Sequence, residues 1–351
     1  MNRFDPHAAR WLVAFALLFS SAASAQDAAP KSAAPAATPA PVTAAAPAAA
    51  PAPEKMGREV NGHFFLPSHI IDDPFSYTAF GTFFGIGSGN ALGPTLLPEP
   101  PFIDVNNQKW YGYTGLGLGM LLNVRILEYL SVRAGLITTA YLGTGNGAAL
   151  TIGTSARITG DVGVKGSLPL GDNFRLAATI DASYGPVFAL LLANGISTIL
   201  DQCRTDPTNC RLDNSQAYQQ QDTLTWTAGL NAAWAPTPYL GVIGNVQFIA
   251  PTKTGQNTIA TNGATVAAMI DFDALPLVKW LPLGASVAYQ LTTGLGGNKV
   301  PTAQEAGFGF YYTGRKDLAL GLEIDWKWST LETQQTSTAT LAWINFRYYW
   351  N

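Results

Sequence analysis

Between Leu150 and Leu168 the chain alternates more clearly than anywhere else. Leu150, Ile152, Ala156, Ile158, Val162, Val164 and Leu168 fall on even positions, and Thr151, Ser155, Arg157, Thr159, Asp161, Lys165 and Ser167 on odd ones. A helix returns its apolar face every three to four residues, so a period of two marks a strand with one apolar and one polar face. Residues 318–328 repeat the pattern: Leu318, Leu320, Leu322, Ile324, Trp326 and Trp328 lie on one side, Glu323, Asp325 and Lys327 on the other. The same template predicts strands over 76–87, 108–123, 130–142, 148–168, 174–185, 223–235, 239–250, 263–273, 281–292, 304–313, 318–329 and 338–350, about twelve in all. Alternate connections are short, as at Pro169–Asn173, Pro236–Pro238 and Gly314–Asp317. The others are longer, most of all after the first and fifth strands, and only residues 143–147 break that trend.

Composition decides where such strands can live. Charged residues make up 12% of the chain, about half the usual share of a soluble domain, yet no apolar run is long enough for a membrane-spanning helix. The remaining structure that satisfies every backbone group in lipid is a closed barrel. The expected fold is therefore all-β: a transmembrane antiparallel up-and-down barrel over residues 76–351, with an even strand count and both termini on the short-turn side.

The N-terminal quarter reads differently. Residues 1–25 carry Arg3 and Arg10, an apolar run from Trp11 to Phe19 and a small-residue close at Ala23, Ser24 and Ala25, the layout of a cleaved secretory signal peptide. Residues 26–57 are largely Ala and Pro, with nothing to bury, and are expected to be a disordered, extended linker. It is either a passive spacer or a tether to peptidoglycan or another envelope protein. Residues 58–75 include Phe64, Phe65, Leu66, Ile70 and Ile71, apolar enough to order as a periplasmic lead-in or as a plug in the barrel mouth.

Trp110, Tyr184, Trp226, Trp234, Trp280, Trp328 and Trp350 lie near predicted strand ends, as the aromatic belts of a membrane barrel require. The chain closes with Ile344, Phe346, Tyr348 and Trp350 on alternate positions. This ending resembles the C-terminal assembly signal of bacterial outer-membrane β-barrel proteins, with Asn351 after the final aromatic. The resemblance covers the chain from about Ser76 onward. It implies an outer-membrane location, contact with outer-membrane lipid and recognition by the barrel-assembly machinery.

Candidate chemistry is sparse. Of the three histidines, His7 falls in the signal, and His63 and His69 precede the first strand, out of apparent reach of a triad on the strands. An enzyme is not expected, nor a cofactor. A metal is not expected either, because no His or carboxylate cluster with ligand spacing accompanies the two cysteines. With a formal net charge of −3 and no basic patch, nucleic acid is not an expected partner. Cys203 and Cys210, in an exported chain, are expected to form a disulfide. The alternation turns Arg133, Arg157, Asp161, Lys165, Arg175, Asp181, Asp271, Glu305, Glu323, Asp325, Lys327 and Arg347 inward. This mixed lining either fills the lumen with ion pairs or lines a conduit. Gly115, Gly117 and Gly119 leave room inside, or let another segment pack close. The apolar start of the connection 186–221 is expected to cover or narrow the mouth, or to pack on the rim. A channel for passive diffusion of small solutes is the leading expectation; the alternative is a structural or interaction barrel anchored through the linker.

Overall fold

The computed structural model describes residues 58–96, 103–144, 148, 154–190, 202–205, 218–253, 262–295, 302–330 and 336–350. Two short strands come first, β1 (Glu59–Val60) and β2 (His63–Phe64). Twelve longer ones follow: β3 (Thr78–Leu96), β4 (Ile103–Leu127), β5 (Leu130–Thr144), β6 (Thr154–Pro169), β7 (Phe174–Leu190), β8 (Tyr218–Thr237), β9 (Leu240–Lys253), β10 (Gly263–Asp273), β11 (Leu283–Gly294), β12 (Thr302–Tyr312), β13 (Leu318–Thr330) and β14 (Thr336–Trp350). Each pairs antiparallel with the next, and β14 pairs with β3 from Ala339 against Gly89 to Trp350 against Thr78. The sheet is thus a closed up-and-down barrel with no free edge.

The alternation sets which side chains meet which solvent. On β13, Leu320, Leu322, Ile324, Trp326 and Trp328 are exposed on the outer wall, while Glu323 and Asp325 are buried inside. Ile344, Phe346, Tyr348 and Trp350 share that outer face. Exposed aromatics gather toward both ends: Tyr129, Trp234, Trp280 and Tyr312 by the short turns, Trp110, Tyr184, Trp226 and Trp328 toward the other rim. A continuous apolar outer wall with aromatic belts suits hydrocarbon, not water. Leu322 lies between Phe310 and Ile344 on that wall, whereas Ser183 lines the interior cavity. Arginine at Leu322 should destabilise insertion by about 2 to 4 kcal/mol and arginine at Ser183 by far less; urea titration of folding into lipid vesicles reads the difference, and equal losses would reverse the facing assignment.

Several strands outrun their predicted limits. β3 and β4 continue to Leu96 and from Ile103, so most of the predicted long connection after the first strand is hydrogen-bonded ribbon. Above the lipid the outer face no longer has to be apolar, and the Gly, Asn and Pro of residues 88–96 carry no alternation to read. Val187–Leu190, expected to open a rim-covering loop, instead extends β7 against Tyr218–Gln221. β6 begins at Thr154, not at 148, and Ala148 is helical. Residues 145–147 and 149–153, which hold most of the predicted exception at 143–147, lie outside the described residues. Residues 191–201 and most of the remaining loop, with residues 1–57, lie outside the described residues. Cys203 sits in a helical turn at 202–205 and is disulfide-bonded; Cys210 lies outside the described residues.

Candidate functional site: the plugged lumen

The segment before the barrel turns into it. Asn61 and Gly62 both adopt positive φ, 50° and 78°, the conformation of a two-residue type I′ turn, and they join β1 to β2 as a hairpin. Its tip is held at the short-turn end: the Asn61 backbone N–H donates to the Asp172 carbonyl at 2.9 Å and its side-chain amide to the Ala235 carbonyl at 3.1 Å. Arg58 lies 3.8 Å over the Tyr349 ring and donates to the Lys316 carbonyl. From here residues 65–77 run across the lumen, touching inward side chains of β5, β6, β8, β10, β12, β13 and β14.

Two kinds of contact hold this plug. Phe65, Ile70, Ile71 and Phe75 are buried against small inward residues, among them Ala233, Ala267, Ala288 and Ala319. The hydrophobic core of the protein therefore sits inside the barrel mouth, and each such side chain is worth about 1.5 to 3 kcal/mol removed from water. The second kind is polar. Asp271 accepts hydrogen bonds from the Leu66 N–H at 2.8 Å and from His63 Nε2 at 2.9 Å, while His63 Nδ1 faces the Pro238 carbonyl at 3.2 Å. Lys165, 1% exposed, donates to the Asp73 carbonyl at 2.6 Å and approaches Asp72 Oδ1 at 3.0 Å. Arg133 bridges Asp72, at 2.6 Å, and Asp181, which it grips with both Nε and Nη2. Arg347 donates to the Tyr77 hydroxyl, which in turn donates to Asp73.

These contacts place the predicted lining residues. Lys165, Asp271 and Glu323 grip the plug, and Arg175 lies 5.5 Å from the Phe75 ring centre. Arg133, Asp161, Asp181, Lys327 and Arg347 also face a cavity of about 520 Å³ above the plug, whose floor is Ser68 to Asp73. A smaller cavity of about 80 Å³ lies against Tyr77, Asn123 and Lys165 and shares Asp72, Leu121, Arg133, Asp161 and Arg347 with the larger one. These five residues form the partition between the two spaces. Arg157 is paired in register with Thr139, which lines the larger cavity, and is exposed nearer the far rim. The glycines at 115, 117 and 119 do admit close packing, by side chains of the wall: Trp343 lies over Gly117 and Phe83 over Gly119.

Two sequence expectations are corrected here. The histidines were expected to lie out of reach of the strands, and no His–carboxylate cluster was expected. Because the plug folds inward, His63 meets Asp271 on β10, and His69 meets Glu305 on β12 and Glu323 and Asp325 on β13. Burial opposes a charge on the His69 ring, but the surrounding Asp325, Glu305 and Glu323 carboxylates prevail and raise its pKa well above the ordinary imidazole value. Asp72 shows the converse balance. Burial would raise its pKa, but the Lys165 and Arg133 charges outweigh that and hold it at about 2. A depressed carboxyl stabilises the docked state above its ordinary value, and that contribution is lost as pH falls through the depressed one. Plug contacts through Asp72 should therefore persist at pH 5, begin to weaken below about pH 4 and be lost near pH 2. Hydrogen exchange of residues 65–77 at stepped pH would show this; release already complete at pH 4 would contradict the assignment.

No family model and no curated protein matches the chain. Solved structures that resemble it include an outer membrane channel from Pseudomonas putida F1, 11% identical with TM-score 0.45 over 81% of this chain and 99% of that one. The Pseudomonas putida toluene transporter TodX is 12% identical with TM-score 0.37, over 84% of this chain and 96% of that one. The KdgM porin, solved with disordered oligogalacturonate, is 10% identical with TM-score 0.36, over 76% of this chain and 99% of that one. At these values the likenesses carry no information on what passes through this barrel.

Proposed function

We propose that the chain is an outer-membrane channel for passive diffusion of small polar solutes, with residues 58–77 standing in its periplasmic exit as a plug. The observation that supports this most is the cavity of about 520 Å³ inside the lumen, lined by Ser88, Tyr113, Thr139, Asp161, Ser183 and Gln247 among others. A barrel serving only as a scaffold gains nothing from leaving that volume unfilled, since small barrels fill their interiors with side chains. Polar walls with charges of both signs suit small hydrated solutes without strong selection for charge. Catalysis finds little support: His63 has both ring nitrogens engaged, and the described side chains against the His69 ring are carboxylates and Trp343, with no hydroxyl or thiol nucleophile among them.

A second reading is favoured by the plug itself. Its apolar core fills the lower lumen, as in a structural barrel, and the Ala/Pro linker would then tether the barrel to peptidoglycan. Liposome swelling with sugars of graded size separates the two. The intact chain should admit small sugars slowly, and a chain lacking residues 58–75 should admit them quickly. Background permeability from both would sink the channel reading in favour of the structural one.

A further inference from the structure

We propose that His69, Asp325 and Glu305 form a binding site for a divalent first-row cation of the zinc class, tying the plug to the barrel wall. The argument begins with Glu323. Its Oε1 accepts from the Tyr311 hydroxyl and from Asn345 Nδ2 at 3.0 Å, and its Oε2 accepts from the His69 backbone N–H at 3.3 Å and from Nδ1 at 2.6 Å. That carboxylate is fully satisfied, and it fixes the proton of the ring on Nδ1. A carboxylate behind one ring nitrogen is the arrangement that orients a metal-binding histidine through the other.

Nε2 points at carboxylate oxygens. It lies 3.0 Å from Asp325 Oδ2 and 3.5 Å from Glu305 Oε1, without the alignment of a hydrogen bond. Both oxygens of Asp325, a side chain 0% exposed, are buried and lack hydrogen-bond partners, while the buried Glu305 Oε1 meets the Lys327 ammonium. A native protein seldom leaves buried acceptors unanswered. Lys327 Nζ stands 2.8 Å from Glu305 Oε1, so three carboxylates face one ammonium and one imidazole, an excess of two negative charges when the ring is neutral. A proton on Nε2 answers one oxygen; a divalent cation answers the whole group and the charge.

The spacing fits as well. Tetrahedral zinc, with bonds of about 2.0 to 2.2 Å, sets neighbouring ligand atoms about 3.3 Å apart, between the 3.0 and 3.5 Å that separate Nε2 from Asp325 and Glu305, and His69, Glu323 and Asp325 hold ligand atoms within 4.8 Å of one another. One imidazole nitrogen with two carboxylates favours a zinc-class ion over calcium, which wants more oxygens at longer range. Gly307 lets the plug come this close to Asp325, since a Cβ there would collide with Ile70 Cδ1 and stand 2.5 Å from Asp325 Oδ1. The Trp343 ring, 5.0 Å from the imidazole, steadies it. His69 borders the large cavity, which gives the ion a path in. Because His69 belongs to the plug and the carboxylates to β12 and β13, a bound ion cross-links the two.

The test uses the full chain, stripped with EDTA and folded in detergent micelles. Calorimetric titration with zinc chloride at neutral pH should give one site per chain, unaffected by millimolar calcium. His69→Gln and Asp325→Asn should each weaken it at least tenfold, and Glu323→Gln by about 10 to 100-fold. Heat-modifiable gel mobility verifies that each variant is a folded barrel. Zinc should also slow hydrogen exchange of residues 65–77 in the wild type and not in Asp325→Asn. Absence of zinc binding, or binding as strong as the wild type's in either His69→Gln or Asp325→Asn, overturns the proposal. Neither readout needs conduction, so a silent barrel would leave the inference standing.

Discussion

Deleting residues 58–75 is expected to raise single-channel conductance severalfold while the barrel still assembles. The segment contributes no strand to the closed sheet, whose seam is made by β14 against β3, so every ladder hydrogen bond of the wall survives its removal. What is lost is the floor of the larger cavity at Ser68–Asp73 and the core built on Phe65, Ile70, Ile71 and Phe75. The wall residues that gripped the plug, Lys165, Asp271, Glu323 and Asp325, would then face water in the lumen, where their charges are well tolerated. With Asp72 gone, the partition between the two cavities would open on one side. Planar-bilayer recordings of the intact and deleted chains measure the ratio. Equal conductance would mean that the permeation path avoids the plug, and loss of assembly would mean that the plug is a folding element of the barrel.

The legible part of this fold is the part that lipid dictates. Where a strand crosses hydrocarbon, each second residue must be apolar, and Leu318–Trp328 announces its own facing. Above the lipid that requirement ends, so the extensions of β3, β4 and β7 left no signal. The chemistry was hidden for another reason. His69 and its carboxylate partners are separated by more than two hundred positions, and Glu323 and Asp325 read in sequence like any inward charge of a strand. Two local signs were nonetheless present. Asn61–Gly62 between Val60 and His63 is a hairpin signal, and the adjacent acids Asp72 and Asp73 end an apolar stretch that had to be buried somewhere. The inward face of the strands offered Arg133, Lys165 and Arg347 as the opposite charges for them.

That pairing carries the second large effect. Lys165→Met is expected to loosen the plug by about 3 kcal/mol, the lower end for breaking a buried ion pair by removing one partner. Lys165 is 1% exposed, and its ammonium serves the Asp73 carbonyl together with the Asp72 and Asp73 carboxylates. Methionine keeps the volume and removes the charge, leaving buried acids with fewer answers. Arg133 still holds Asp72, and Arg347 stands 3.6 Å from Asp73 Oδ2, which is why the loss should fall short of the upper end near 5 kcal/mol. Three kcal/mol corresponds to about a hundredfold faster hydrogen exchange of residues 65–77 through the undocked state, with exchange of the β-strand amides unchanged. Adding Asp72→Asn should recover part of the loss, because one buried charge is removed along with its partner. Unchanged exchange in Lys165→Met would show that the apolar core alone keeps the plug in place and that the ion pairs merely line it.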